Sequence, residues 1–152
     1  MKRMTHDNSE AIVVFIIGMR INKVWCVHRW VPVFSAMPKM IAELMRDKNS
    51  GCLAVRTALS GRTIFTVQYW RSTEDLTRYA HDDNRRHRRA WLQFYKQAAQ
   101  SDAVGIFHET YDVQPGRHES INVTMAPFGV GRATGGSIPV RKATDRFTDR
   151  FS

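Results

Sequence analysis

The sequence predicts one α+β domain in which two helices cover a single face of an antiparallel sheet. Three observations indicate this: four runs with strand-like patterning, two segments with helical spacing of apolar residues, and their order along the 152 residues. Apolar residues make up 43% and charged residues 24%, so the chain has the composition of a globular domain and not of a disordered one.

The strand-like runs lie on both sides of each expected helix. Ala11–Gly18 is continuous, apolar and β-branched, which is typical of a central strand. Cys52–Leu59 and Thr63–Trp70 are separated by Ser-Gly-Arg, which predicts a tight hairpin. Val104–Val113 is the fourth run, and Ser120–Met125 predicts a short additional strand.

The first helix is expected to open at Ser35 and Pro38, because proline is tolerated in a first helical turn. Apolar residues follow at helical spacing until residues 49–51 stop the helix. The preceding segment, residues 19–33, has no clean period, and we expect it to be irregular or partly helical.

The second helix is expected to begin after Ser72, whose side chain can form a capping pair with Asp75, and to run to about Gln100. The resulting order of β, α, β, β, α, β is the ferredoxin-like order, with both helices on one face of the sheet. The other face would expose a large apolar patch unless something covered it.

A second copy of the chain is the simplest cover for that face, so we expect a homodimer that pairs through its sheets into a dimeric α+β barrel. We expect a flexible N-terminus over residues 1–10 and the barrel domain over residues 11–126. Residues 127–152, rich in Pro and Gly at first and basic later, are expected to form a partly disordered C-terminal extension.

The net charge is +9, which brings nucleic acid, anionic lipid or an acidic ligand into consideration. The arginine-rich run at residues 85–89 would serve nucleic acid, but no nucleic-acid motif accompanies it, and a solvated basic surface explains the charge better. The apolar run of residues 11–17 is too short to span a membrane. With only two separated cysteines, the chain is expected to be cytoplasmic, with neither a membrane nor nucleic acid as partner.

One stripe of the second helix is apolar except for Asp83 and His87. The aspartate precedes the histidine by one helical turn, so its carboxylate can orient the imidazole as a general base requires. The same imidazole could ligate haem b, with the neighbouring arginines pairing the propionates. A core histidine satisfied by its own helix is the third interpretation, and the residues leave all three open.

Strand alternation separates the other candidates. His108 and Glu109 must lie on opposite faces of the sheet, as must Gln68 and Tyr69. Aromatic residues gather at the corner between the third strand and the second helix, where they suit a flat apolar ligand and equally an ordinary core. No zinc spacing, nucleophile elbow or paired-carboxylate pattern is present in the sequence, so no metal is expected.

Several blocks of the chain resemble a family once described as a domain of unknown function and now as monooxygenase-like, after a fungal member that acts in polyketide–terpene biosynthesis. The resemblance covers roughly residues 11–133. The blocks are Val13–Lys23, Arg29–Met40, Val67–Ala80, His87–Trp91, Val104–Tyr111 and Met125–Ala133.

The resemblance implies membership of the dimeric α+β barrel superfamily, which includes cofactor-independent monooxygenases, haem-degrading monooxygenases and haem-dependent aldoxime dehydratases. It implies a monooxygenase-type oxidoreductase that acts on a hydrophobic metabolite, of polyketide, terpenoid or aromatic type, without flavin or metal. A haem b enzyme and a non-catalytic dimer that binds small molecules are the alternatives.

If the chain is such a monooxygenase, the resemblance implies His87, Asp83 and His108 as catalytic residues. If haem is bound, His87 is also the expected ligand. Residues expected to bind substrate are Gln68, Tyr69, Trp70, Arg71, Tyr79, Trp91, Glu109 and Tyr111.

Overall fold

A four-stranded antiparallel sheet with helices on one face forms the centre of the molecule. The computed structural model describes residues 3–82, 92, 95–96, 99–136 and 138–140. Its strands are β1 (Arg3–Thr5), β2 (Ile12–Ile21), β3 (Cys52–Ser60), β4 (Thr63–Trp70), β5 (Val104–Val113), β6 (Asn122–Val123) and β7 (Ile138–Pro139). Its helices are α1 (Val27–Arg46), α2 (Thr73–His81) and α3 (Val130–Ala133).

The strand order in the main sheet is β3-β4-β2-β5, and every neighbouring pair is antiparallel. This is the ferredoxin-like arrangement, so the predicted α+β fold class is confirmed. β2 occupies the centre because its β-branched run can be buried on both sides, and it extends to Ile21. The hairpin between β3 and β4 turns at Gly61, whose φ of 56° favours glycine.

Both helices pack on the same side of this sheet. Val33 and Met37 of α1 pack against Met19 and Ile64, towards one end of the strands. At the other end, Leu76 and Tyr79 of α2 pack against the cluster of Val13 and Trp70. All four strand residues point to one side of the sheet, which we call the helix face; the opposite side is the open face.

Helix α1 begins at Val27, eight residues before the predicted opening at Ser35, so that prediction is wrong. Pro32 and Pro38 lie inside the helix, where a proline usually costs about 3 kcal/mol. Val33 and Leu44 are buried on the inner side of the helix, and their burial offsets that cost. The segment expected to be irregular or partly helical is therefore divided between the end of β2 and the start of α1, so its second part is helical.

Helix α2 begins as predicted, since the Ser72 hydroxyl accepts a hydrogen bond of 3.1 Å from the backbone N–H of Asp75. It ends at His81, and residues 92, 95–96 and 99–100 are also helical. The prediction of one helix running to about Gln100 is therefore wrong, because the extended backbone of Asp82 ends α2; residues 83–91 lie outside the described part of the chain.

A second, small sheet joins distant parts of the chain in the order β6-β1-β7. Arg3 pairs with Val123, and Met4 pairs with Pro139. Residues 3–5 fall in the segment expected to be flexible, yet they form a strand here because long-range pairing fixes them. Of the expected C-terminal extension, α3 and β7 are ordered, while residues 141–152 lie outside the described residues.

In the part of the chain that the structure describes, none of the helices combines the length and apolar character needed to cross a membrane.

Candidate functional site

An apolar cavity of about 320 Å³ lies between α1 and the helix face of the sheet. Its walls come from one side of α1 and from the two strands of the β3–β4 hairpin. The lining residues are Phe34, Met37, Pro38, Ile41, Ala42, Thr57 and Ile64. A cavity of this size with a largely apolar wall suits a small hydrophobic ligand.

A chain of buried polar groups runs along β4 on the same face. The indole N–H of Trp70 donates to the Gln68 carbonyl oxygen at 3.1 Å, and the Gln68 amide N–H donates to the Thr66 hydroxyl at 3.2 Å. Because an indole N–H can only donate, it fixes which end of the Gln68 amide faces Trp70. We call these three side chains the polar ladder.

The polar ladder reaches the wall of the cavity. Thr66 lies directly opposite Thr57 of β3, and Thr57 lines the cavity. The Gln68 amide nitrogen carries two hydrogens, and its bond to Thr66 uses one of them. Gln68 is 91% buried, so its second N–H is a donor in a site largely shielded from water, where it can stabilise a negative oxygen strongly.

His108 also lies on the helix face, and Glu109 lies on the open face, so the predicted separation of these two residues is confirmed. His108 pairs in register with Ile17 of the central strand, and its ring centroid lies 6.0 Å from that of Phe15. Phe15 is in turn the register partner of Gln68. The imidazole is exposed on the edge strand β5, so it can exchange protons with solvent or with a ligand.

Trp70, expected to bind substrate, is completely buried. It packs between Val13 and Leu44, and its ring centroid lies 5.3 Å from that of Tyr79. The structure therefore places the Trp70 ring and the Tyr79 side chain of α2 in the core between α2 and the sheet, and Trp70 contacts the candidate site through its hydrogen bond to Gln68.

Three of the expected substrate-binding residues lie on the open face. Tyr69 lies there against Gly129 of the C-terminal extension, because a Cβ added at Gly129 would lie 3.0 Å from the Tyr69 hydroxyl. Burial raises the pKa of the Tyr69 phenol, and the nearby Arg56 guanidinium opposes that shift. Tyr111 donates a hydrogen bond of 2.7 Å to Glu109, which raises the pKa of the Tyr111 phenol. The sheet thus separates these residues from Gln68 and His108.

Arg71 is held by Asp75 rather than directed at the cavity. Its guanidinium lies 2.7 Å from the Asp75 carboxylate, and Arg78 binds the other carboxylate oxygen. Asp75 is buried against Gly51, where a Cβ would overlap its side chain. This ion-paired cluster fixes the start of α2.

His87, Asp83 and Trp91 lie outside the described residues, so their expected roles remain predictions. Within the described ranges, no three His, Cys, Asp or Glu side chains come close enough together to hold a metal ion. Thr66 and the cavity wall from α1 were not among the residues expected from the sequence. The one available signal was the polar Thr66 two positions before Gln68 on the same face of a strand.

Fold and site together define a ferredoxin-like α+β domain with an apolar cavity and buried hydrogen-bond donors between its helices and sheet. The chain belongs to the family described as Monooxygenase af470-like, whose model matches residues 12–130.

Among curated proteins, the chain is similar to Monooxygenase af470 of Aspergillus fumigatus, with 28% identity over 144 residues. The match covers 89% of this chain and 50% of the relative, so the chain spans about half the length of that protein.

Among solved structures, the fold is similar to that of two aldoxime dehydratases. The aldoxime dehydratase OxdRE in complex with butyraldoxime gives a TM-score of 0.68 at 17% identity, covering 87% of this chain and 39% of the enzyme. A second aldoxime dehydratase gives 0.62 at 21% identity, covering 83% and 39%. At these identities the likeness shows a shared fold.

Proposed function

We propose that the chain is a monooxygenase-type oxidoreductase that acts on a hydrophobic metabolite of polyketide, terpenoid or aromatic type, without flavin or metal. Membership of a monooxygenase-like family supports an oxygenase. The observation that carries the proposal is the apolar cavity, which lies on the same sheet face as two polar groups: Gln68, whose amide donates only to Thr66 among the described residues, and the exposed imidazole of His108 on the far edge strand β5.

In this proposal the substrate itself supplies the electrons. A base removes a proton from a phenol or enol, and the resulting anion reacts with dioxygen. One oxygen atom becomes a carbonyl oxygen on a substrate carbon that loses two hydrogens, and the other leaves as water. The protein has to supply a base, a cavity from which water is excluded, and donors for the anion.

Gln68 is our candidate for the donor, because its amide is oriented by Trp70 before any ligand arrives. Of the two candidate bases, His108 lies on the helix face, and His87 with Asp83 remains the prediction made from the sequence. An apolar ligand would occupy the cavity beside Phe34 and Ile41.

We further propose that the chain is a homodimer through the open face. Phe65 and Phe107 lie there on either side of Gly18, with ring centroids 6.4 Å apart, and both are partly exposed. A matching sheet face from a second copy would bury them. The curated relative is about twice as long as this chain, which leaves room for two such domains in one polypeptide.

Oxygen uptake is the direct test of the proposed reaction. Purified protein is incubated with a panel of phenols and enolisable ketones, and products are analysed after labelling with heavy dioxygen. We expect one labelled oxygen atom in the product and a loss of uptake of about a hundredfold or more when the catalytic base is replaced by alanine.

His87→Ala and His108→Ala compared side by side identify the base, and His28→Ala on an exposed part of α1 is the matched control. Binding of these compounds without oxygen uptake would contradict the proposal and indicate a ligand-binding module.

A haem enzyme is the second candidate, because His108 presents an exposed imidazole on the helix face that would hold the haem iron. Bound haem would supply a redox-active or Lewis-acidic iron at that face. Titration with hemin distinguishes the two candidates. A sharp Soret band that disappears in His108→Ala or His87→Ala would favour the haem enzyme, whereas no spectral change would favour the cofactor-free oxygenase.

A further inference from the structure

Large apolar side chains are exposed at the end of the sheet where β2 leads into α1. Trp25 is 75% exposed, and its neighbours Val24 and Val27 are about half exposed. Leu59, the residue before the last one of β3, is 73% exposed. A soluble protein seldom exposes a tryptophan and several aliphatic side chains together unless that surface binds a partner.

These residues belong to one surface. The loop after β2 is tied to the β3–β4 hairpin, because Ile21 donates its backbone N–H to the Arg62 carbonyl at 2.9 Å and the Arg62 guanidinium donates to the Asn22 carbonyl at 3.2 Å. Trp30 donates from its indole to the Val24 carbonyl at 3.0 Å, which holds the loop against α1. The turn carrying Trp25 is therefore set beside the hairpin.

The apolar surface continues along α1 to the cavity. Val27, Val31, Phe34 and Pro38 follow one another at spacings of three and four residues, so they form an exposed stripe on one side of the helix. Phe34 and Pro38 also line the cavity. The entrance of the cavity thus adjoins the exposed residues at the end of the sheet.

Positive charge surrounds these apolar residues. Arg29 and Arg62 are both exposed there, whereas Lys23 is neutralised by Asp102 at 2.6 Å. The first turn of α1 carries no acidic residue, so Arg29 adds to the positive end of the helix dipole instead of being balanced by a carboxylate. An anion at this end would relieve the unfavourable electrostatics.

We propose that this end surface, formed by Val24, Trp25, Val27, Val31 and Leu59 with Arg29 and Arg62, docks on an anionic phospholipid bilayer. Tryptophan is suited to the level of the headgroups, the aliphatic side chains to the acyl boundary and the arginines to lipid phosphates. A second copy of the chain fits less well, because a two-fold contact would bring the same arginines together.

The sequence led us to expect no membrane partner, because no apolar run is long enough to span a bilayer. A surface that lies in the interface needs no spanning segment. The docking does not rest on the proposed oxygenase reaction, since it concerns the end of the sheet and not the polar ladder. If the oxygenase reaction is disproved, the membrane docking can still be tested, and the reverse also holds.

Vesicle sedimentation tests the inference. The full chain is mixed with phosphatidylcholine vesicles, with or without phosphatidylserine, at low and at physiological salt. We expect binding to the anionic vesicles that weakens with salt, accompanied by a blue shift of tryptophan emission that is absent in Trp25→Phe.

Two double variants separate the contributions. Trp25→Ser with Leu59→Ser is expected to weaken partitioning at least tenfold, roughly the value of one buried apolar side chain. Arg29→Gln with Arg62→Gln is expected to weaken binding to anionic vesicles by about fivefold per charge and to leave phosphatidylcholine unaffected.

Met125→Ser is the matched control, because Met125 is 55% exposed and follows β6, whose small sheet adjoins the opposite end of the molecule. It should bind as the wild type does. Absence of binding to anionic vesicles would overturn the proposal. Unchanged binding of either double variant would also overturn it. So would a double variant that splits an oligomer, if neither the wild type nor the variants bind vesicles.

Discussion

Replacing Gln68 by leucine removes the central member of the polar ladder while keeping an apolar side chain of similar reach. In the native protein the Gln68 side-chain carbonyl accepts a hydrogen bond of 3.1 Å from the Trp70 indole N–H, and the Gln68 amide N–H donates to the Thr66 hydroxyl at 3.2 Å. The substitution therefore leaves the Trp70 N–H without its acceptor, in a side chain that is fully buried.

Leaving a buried donor unsatisfied costs about 1–3 kcal/mol. The Thr66 hydroxyl loses a donor but still donates to the Ile17 carbonyl at 3.5 Å, so most of the cost comes from Trp70. We expect the free energy of unfolding to fall by about 2 kcal/mol, which for a chain of this size lowers the melting temperature by roughly 4–8 °C. Loss of the donor to the substrate anion is expected to lower kcat by about a hundredfold or more.

Thermal unfolding and oxygen uptake measure the two effects separately. Asp75→Ala is the matched control, since it also weakens the fold, by removing the ion pairs to Arg71 and Arg78, but it does not touch the cavity. Its melting temperature should fall while kcat well below that temperature stays within about twofold. An unchanged kcat in Gln68→Leu would refute the donor role, and an unchanged melting temperature would refute the polar ladder.

Three further predictions concern the fold. Gly18→Ala should destabilise the protein by about 1–3 kcal/mol in urea unfolding, because its Cβ would lie 2.6 Å from a backbone carbonyl of the next strand; Gly136→Ala, with 3.5 Å to its nearest contact, should change little. Burial raises the pKa of the Cys52 thiol to about 12, so iodoacetamide should modify Cys26 first in the native protein, and equal rates would contradict this. Burial and a neighbouring imidazole lower the pKa of His6 below 6.5, so stability should be full above that pH and decline below it; a flat urea titration would refute this.

The main sheet could be predicted because its signals are local. The bounds of β4 and β5 agree with the runs seen in the sequence, and the strand alternation placed His108 and Glu109 on opposite faces. Helix α1 was harder, since Pro38 has the same sequence signature at the start of a helix and inside one, and only packing against the sheet distinguishes the two. β1 has three residues and no local signal at all.

The site could be predicted only in part for the same reason. Gln68 was expected as a ligand contact, but its hydrogen bonds depend on rotamers that periodicity does not determine. The cavity required α1 to begin at Val27, because Phe34 on its wall precedes the predicted start. Trp70 and Tyr79 were correctly associated with each other, yet whether an aromatic pair lines a cavity or fills a core depends on the elements above it.

The small sheet also has a consequence for how the protein forms during synthesis. β1 is made before the main sheet, but its partners lie at residues 122–123 and 138–139, so it cannot pair until those residues have left the ribosome. The four strands of the main sheet are complete at Val113 and can pair earlier. At ordinary rates of about 5–20 residues per second, we expect an interval of about a second in which the main sheet has paired and β1 still lacks its partners.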